Sequence, residues 1–61
     1  MEEIKKITER TYGSHIYMKL SLDGREYEVD CYLREDGEYF KTTADGASDR
    51  GRVILAFKAL Y

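Results

Sequence analysis

The chain has 61 residues, a hydrophobic fraction of 43%, a net charge of −2 and a single cysteine. A chain this short buries only about 60% of the surface it exposes when unfolded, so residues 1–61 read as one small domain with a thin core. One cysteine and one histidine exclude an internal disulfide framework and the usual four-ligand zinc sites. A reducing, cytoplasmic setting is therefore the expectation, with no membrane involvement, because no apolar run approaches about 20 residues. The opening Met1-Glu2-Glu3-Ile4-Lys5-Lys6 has no apolar signal region.

Charge is uneven along the chain. Residues 1–22 carry four basic and three acidic side chains, residues 23–49 three and nine, and residues 50–61 three and none. After folding, the basic ends are expected to offset the acidic middle.

The first twelve residues suit two readings. Glu2, Glu3, Lys5, Lys6, Glu9 and Arg10 favour a short helix, with Met1, Ile4, Ile7 and Thr11 on one face. The alternative is a fourth strand that turns at Gly13-Ser14 and pairs Ile7 with Leu20. Its weakness is Glu9 opposite Met18 on the core side, and the helix is preferred.

Two hairpins follow. Asp23-Gly24 suits a two-residue turn with positive φ at both positions. It sets Leu20 against Tyr27, Met18 against Val29 and Ile16 against Cys31, all on one side. The other side pairs Lys19 with Glu28, Tyr17 with Asp30 and His15 with Tyr32. A turn at Asp36-Gly37 then pairs Leu33 with Phe40 and Cys31 with Thr42 on the core side, and Tyr32 with Lys41 and Arg34 with Tyr39 outside. Its flaw is Glu35 opposite Glu38.

The C-terminal run from Arg52 to Tyr61 reads as a helix capped by Ser48 or Asp49. Val53, Ile54, Ala56, Phe57, Leu60 and Tyr61 form its apolar face, although Gly51 weakens its start and the run also suits a buried strand. The expected fold is thus α+β: a three-stranded antiparallel meander, a C-terminal helix on one face, and a short N-terminal helix or fourth strand. The order α-β-β-β-α resembles that of double-stranded-RNA-binding domains. The stretch Ala47-Ser48-Asp49-Arg50-Gly51-Arg52 lacks the lysine-rich helix start of that family, so nothing is carried over from it.

Catalysis finds little to build on, and the chain is expected not to be an enzyme. Cys31 faces the core while His15 faces outward, so the two do not meet. Glu26, Glu28 and Asp30 line one strand face about 7 Å apart, but an open sheet does not dry them as acid–base work requires. No glycine-rich phosphate loop is present, and no cofactor or metal is implied.

The outer sheet face is the unusual surface. It gathers Tyr17, Tyr32, Tyr39, Arg34, Lys41 and His15 beside Glu28 and Asp30, and exposed Tyr and Arg are typical anchors of binding surfaces. The expectation is a small non-catalytic protein-binding module, of inhibitor or adaptor type, whose acidic stripe steers a partner with a basic patch. One alternative is RNA or single-stranded nucleic acid stacked on the tyrosines and held by His15, Arg34 and Lys41. The other is a homo-oligomeric structural subunit, with Leu55 and Ala59 on the back of the helix as the dimer contact.

Overall fold

A computed structural model describes residues 3–61. Met1 and Glu2, which the sequence reading placed in an N-terminal helix, lie outside the described residues. Four strands and one helix follow in order: β1 (Ile4–Tyr12), β2 (His15–Leu22), β3 (Arg25–Arg34), β4 (Gly37–Thr42) and α1 (Ala47–Leu60). The strands form one antiparallel sheet in sequence order, and α1 packs across one face. This is an α+β fold of four strands and one helix. Its β-β-β-β-α order removes the likeness to double-stranded-RNA-binding domains.

The β2–β3 hairpin is built as its turn dictates. Asp23 and Gly24 both have positive φ, 53° and 84°, which suits the right-handed twist of the flanking strands. Leu20 then meets Tyr27, Met18 meets Val29 and Ile16 meets Cys31. Alternation does the rest. Ile16, Met18, Leu20 and Leu22 are buried on one side of β2, and the residues between them face outward.

Residues 4–12 are strand, not helix. Tyr12 pairs with His15 across the Gly13-Ser14 turn, and the register runs evenly to Thr8 opposite Lys19. It then shifts, so Lys6 rather than Ile7 faces Leu20 and Ile4 faces Leu22. The shift is a β-bulge, and its effect is on parity. An unbroken ladder would bring Lys5 to the core side; the extra residue brings Ile4 there instead. Ile7, at the bulge, is 44% exposed, while Ile4 packs against the core. Glu9 does lie opposite Met18, yet it is exposed and paired with Lys6, Nζ to Oε1 at 3.1 Å. Helical propensity in this stretch therefore yields to ladder hydrogen bonds and the burial of Ile4.

The β3–β4 hairpin is displaced by two residues from the expected register. Arg34 pairs with Gly37, so the turn residues are Glu35 and Asp36. Tyr32 meets Tyr39 rather than Lys41, and Cys31 meets Phe40 rather than Thr42. The displacement sets Phe40 beside buried Cys31, makes a Tyr–Tyr pair and removes the Glu35–Glu38 opposition. A two-residue shift keeps every side chain on its expected face. Positive φ falls on Gly37 (135°), just past the turn.

The core is compact. Among the described residues the buried apolar side chains are Ile16, Met18, Leu20 and Leu22 of β2, Val29 and Cys31 of β3, and Val53, Ala56 and Phe57 of α1. Phe57 meets Phe40 edge to face, with centroids 5.6 Å apart. Helix α1 starts earlier than expected, with Gly46 as N-cap and no side-chain cap from Ser48 or Asp49. Tyr61 is the C-cap, 63% exposed and stacked on Phe57 rather than buried. Arg52 ties the helix to the β2–β3 turn through Asp23, Nη2 to Oδ2 at 2.9 Å. No described helix is long and apolar enough to cross a membrane.

Candidate binding face

The face of the sheet opposite α1 carries no covering element among the described residues. Register places its side chains in rows that run across all four strands. The first row is Tyr12, His15, Tyr32 and Tyr39. The second is Arg10, Tyr17, Asp30 and Lys41, and the third begins Thr8, Lys19, Glu28. All seven residues expected at the site lie here: Tyr17, Glu28, Asp30, Tyr32, Arg34, Tyr39 and Lys41.

The first row is a continuous aromatic band. His15 and Tyr32 stack nearly parallel, with centroids 4.4 Å apart and planes 1° from coplanar. Tyr12 lies 6.2 Å from His15, and Tyr39 lies 6.2 Å from Tyr32, both tilted. Arg34 sits over the Tyr39 ring at 5.4 Å, so the expected contact survives the altered register as a cation–π pair. Tyr12 and Tyr39, at the two ends, are 58% and 55% exposed. The band therefore packs against itself at its centre and presents ring edges, hydroxyls and two open ends.

The carboxylates beside it are engaged by β2 in one repeated diagonal pattern. His15 Nε2 lies 2.8 Å from Asp30 Oδ1. The Tyr17 hydroxyl donates to Glu28 Oε1 at 2.5 Å. Lys19 Nζ pairs with Glu26 Oε1 at 3.3 Å. Each carboxylate thus takes its partner from two residues along the neighbouring strand. The hydrogen bond to Glu28 is the main reason the Tyr17 pKa is raised above its ordinary value. The Glu28 backbone is held in turn by Thr43, whose hydroxyl accepts from the Glu28 N–H at 3.1 Å.

Two shallow depressions flank Tyr17. One, of about 170 Å³, is lined by Tyr17, Glu28, Asp30, Lys41, Thr42 and Thr43. The other, of about 430 Å³, is lined by Thr8, Arg10, Tyr12, His15 and Tyr17. The sequence reading missed Tyr12 and Arg10, because it preferred a helix there. The Gly13-Ser14 turn was the signal that could have found them: it sets Tyr12 beside His15 and Arg10 beside Tyr17.

Elsewhere the chemistry is sparse. Cys31 is buried on the core side, and burial is the main cause of its raised pKa. His15 faces the other side of the sheet. Among the described residues no group of three His, Cys, Asp or Glu side chains converges as a metal ion would require. Leu55 is 68% exposed on the back of α1, and Ala59 is exposed beside it. No family model, curated protein or solved structure matches the chain.

Proposed function

We propose that this chain is a small non-catalytic protein-binding module that acts through the outer face of its sheet. The observation that carries the reading is the aromatic band Tyr12–His15–Tyr32–Tyr39, exposed at both ends and crossing every strand. Tyrosine offers contact area at low entropic cost, and its hydroxyl suits a mixed polar interface. A backbone of hydrogen-bonded strands holds the band in place before a partner arrives, which lowers the cost of binding.

The charge on the face bears on the partner. Glu26, Glu28 and Asp30 each have a partner on β2, so less of their charge is left to steer a basic surface. Strand β1 adds Arg10 to the same face. Mixed charge around an aromatic centre fits another protein better than a polyanion. The nucleic-acid reading has less support. His15 and Tyr32 turn their ring faces to each other, whereas base stacking needs faces left open. Glu28 and Asp30 would also repel phosphates.

Site-specific photocrosslinking tests the proposal. A photoreactive phenylalanine at Tyr39 should capture one protein from host extract, with or without nuclease. The same group at Leu55, on the opposite side of the molecule, should not. Capture from Leu55 alone would reject this face in favour of the helix back. Capture from Tyr39 that nuclease abolishes would reject a protein partner in favour of RNA.

A further inference from the structure

The β1–β2 depression differs from its neighbour in the sign of its lining. The depression at Lys41 contains Glu28 and Asp30, so an anion entering it meets two carboxylates. The depression at Arg10 contains Thr8, Tyr12, His15 and Tyr17 and no carboxylate. Among the described residues no acidic side chain forms an ion pair with Arg10. Beside it in the depression lie the Thr8 and Tyr12 hydroxyls, each able to donate its proton to a further acceptor. Among the described residues Arg10 is therefore a charged fork without a counter-ion.

We infer that Arg10 is a carboxylate-recognition point, and that an aspartate or glutamate side chain of the protein partner occupies the depression lined by Thr8, Arg10, Tyr12, His15 and Tyr17. The inference rests on the proposed binding face and names the partner's chemistry. The planar guanidinium matches a carboxylate by two parallel N–H···O bonds, and the Thr8 and Tyr12 hydroxyls can supply further donors. One guanidinium balances one negative charge, which suits a carboxylate better than a phosphate dianion. Tyr12 and His15 belong to both the depression and the aromatic band, so an acidic residue here lies next to whatever covers the band. The partner segment thus carries an acidic residue beside apolar or aromatic ones.

Selection of a random peptide library against the immobilised full chain tests this. Peptides recovered on the wild type should be enriched in Asp and Glu over the input library. Their affinity should fall roughly fivefold with Arg10→Gln, the size expected of one exposed charge pair, and should be unchanged by Lys58→Gln on α1, across the sheet from this face. Selection on Arg10→Glu should reverse the charge preference. Arg10 is exposed on an edge strand, and unchanged circular dichroism of each variant confirms that the fold is kept. Absence of acidic enrichment, or recovered peptides indifferent to Arg10→Gln, overturns the inference. Peptides sensitive to Tyr32→Ala but not to Arg10→Gln would leave the binding face standing and remove the carboxylate point alone. Peptides sensitive to Arg10→Gln but not to Tyr32→Ala or Tyr39→Ala would remove the aromatic band instead. Displacement by oligouridylate as effective as by polyglutamate would make phosphate the ligand and overturn the choice of a carboxylate.

Discussion

Asp23 shows how much one residue can do in a chain this small. It holds a positive φ of 53°, its N–H and the Glu3 carbonyl bond at 2.9 Å, and its carboxylate takes both the Glu3 N–H and Arg52. It thereby joins the start of β1, the β2–β3 turn and the helix. Asp23→Ala is expected to cost about 1–2 kcal/mol, from a less tolerant left-handed backbone and a lost acceptor. Asp23→Asn should cost less, because asparagine tolerates that conformation and keeps one carbonyl oxygen. Urea unfolding of the two variants checks the order; equal stability of both with the wild type would contradict it. Two further residues bear on stability at alkaline pH. Cys31 and Tyr17 both hold their protons more tightly in the fold than at their ordinary pKa values of 9.0 and 10.0, Cys31 chiefly through burial and Tyr17 chiefly through its hydrogen bond to Glu28. Groups raised in this way contribute stability that is full below the unfolded pKa and lost as pH rises through the folded one. Stability should therefore be level with respect to these two groups near neutrality and fall above pH 9, a trend that Cys31→Ala should reduce. An unfolding midpoint that climbed between pH 9 and 10 would oppose the assignment.

At the scale of the element, α1 holds the sheet through few side chains. Phe57 is 3% exposed, edge-on to Phe40 and stacked with Tyr61. Phe57→Ala is expected to cost about 3–5 kcal/mol, enough to unfold so small a domain. Leu55→Asp, on the back of the same helix, should change stability by no more than about 0.5 kcal/mol. Thermal melts of the pair separate the two faces of α1. The bulge in β1 makes a second case. Removing Ile7 would leave Thr8 opposite Lys19 and Lys6 opposite Leu20, as they already are. Deletion of Ile7 should therefore preserve the fold but flatten an exposed edge, and raise self-association measured by sedimentation. Loss of the fold on deletion would mean that the bulge is needed for more than register.

For the whole molecule, what could be read from residues was whatever one short-range signal decides. Asp23-Gly24 dictates a register, and the apolar alternation of Ile16 to Leu22 against Tyr27 to Cys31 agrees with it. Side of sheet was likewise legible, so all seven candidate residues lie on the face where alternation puts them. What failed depended on competition between distant parts. Helix formers at residues 2–10 outweighed an ambiguous Gly13-Ser14 turn, because nothing local announces that Ile4 gains a place over Leu22. Asp36-Gly37 suggested a turn one position too late, since the packing of Phe40 against Phe57 and beside Cys31 is a tertiary gain. Those two misses had unequal effects. The shifted β4 only changed neighbours within the face. The missing strand removed Arg10 and Tyr12, and with them one open end of the aromatic band and the cation beside it.

The central claim is that this face, and not the helix back, meets the partner. The measurement that tests it most directly is the affinity of the captured protein for the wild type, for the double variant Tyr32→Ala with Tyr39→Ala, and for Leu55→Asp, all confirmed folded. The account predicts a loss of about tenfold or more for the double variant, as expected of interface anchors, and wild-type affinity for Leu55→Asp. Wild-type affinity in the double variant, with binding lost in Leu55→Asp, would contradict it and move the interface to the other side of the molecule.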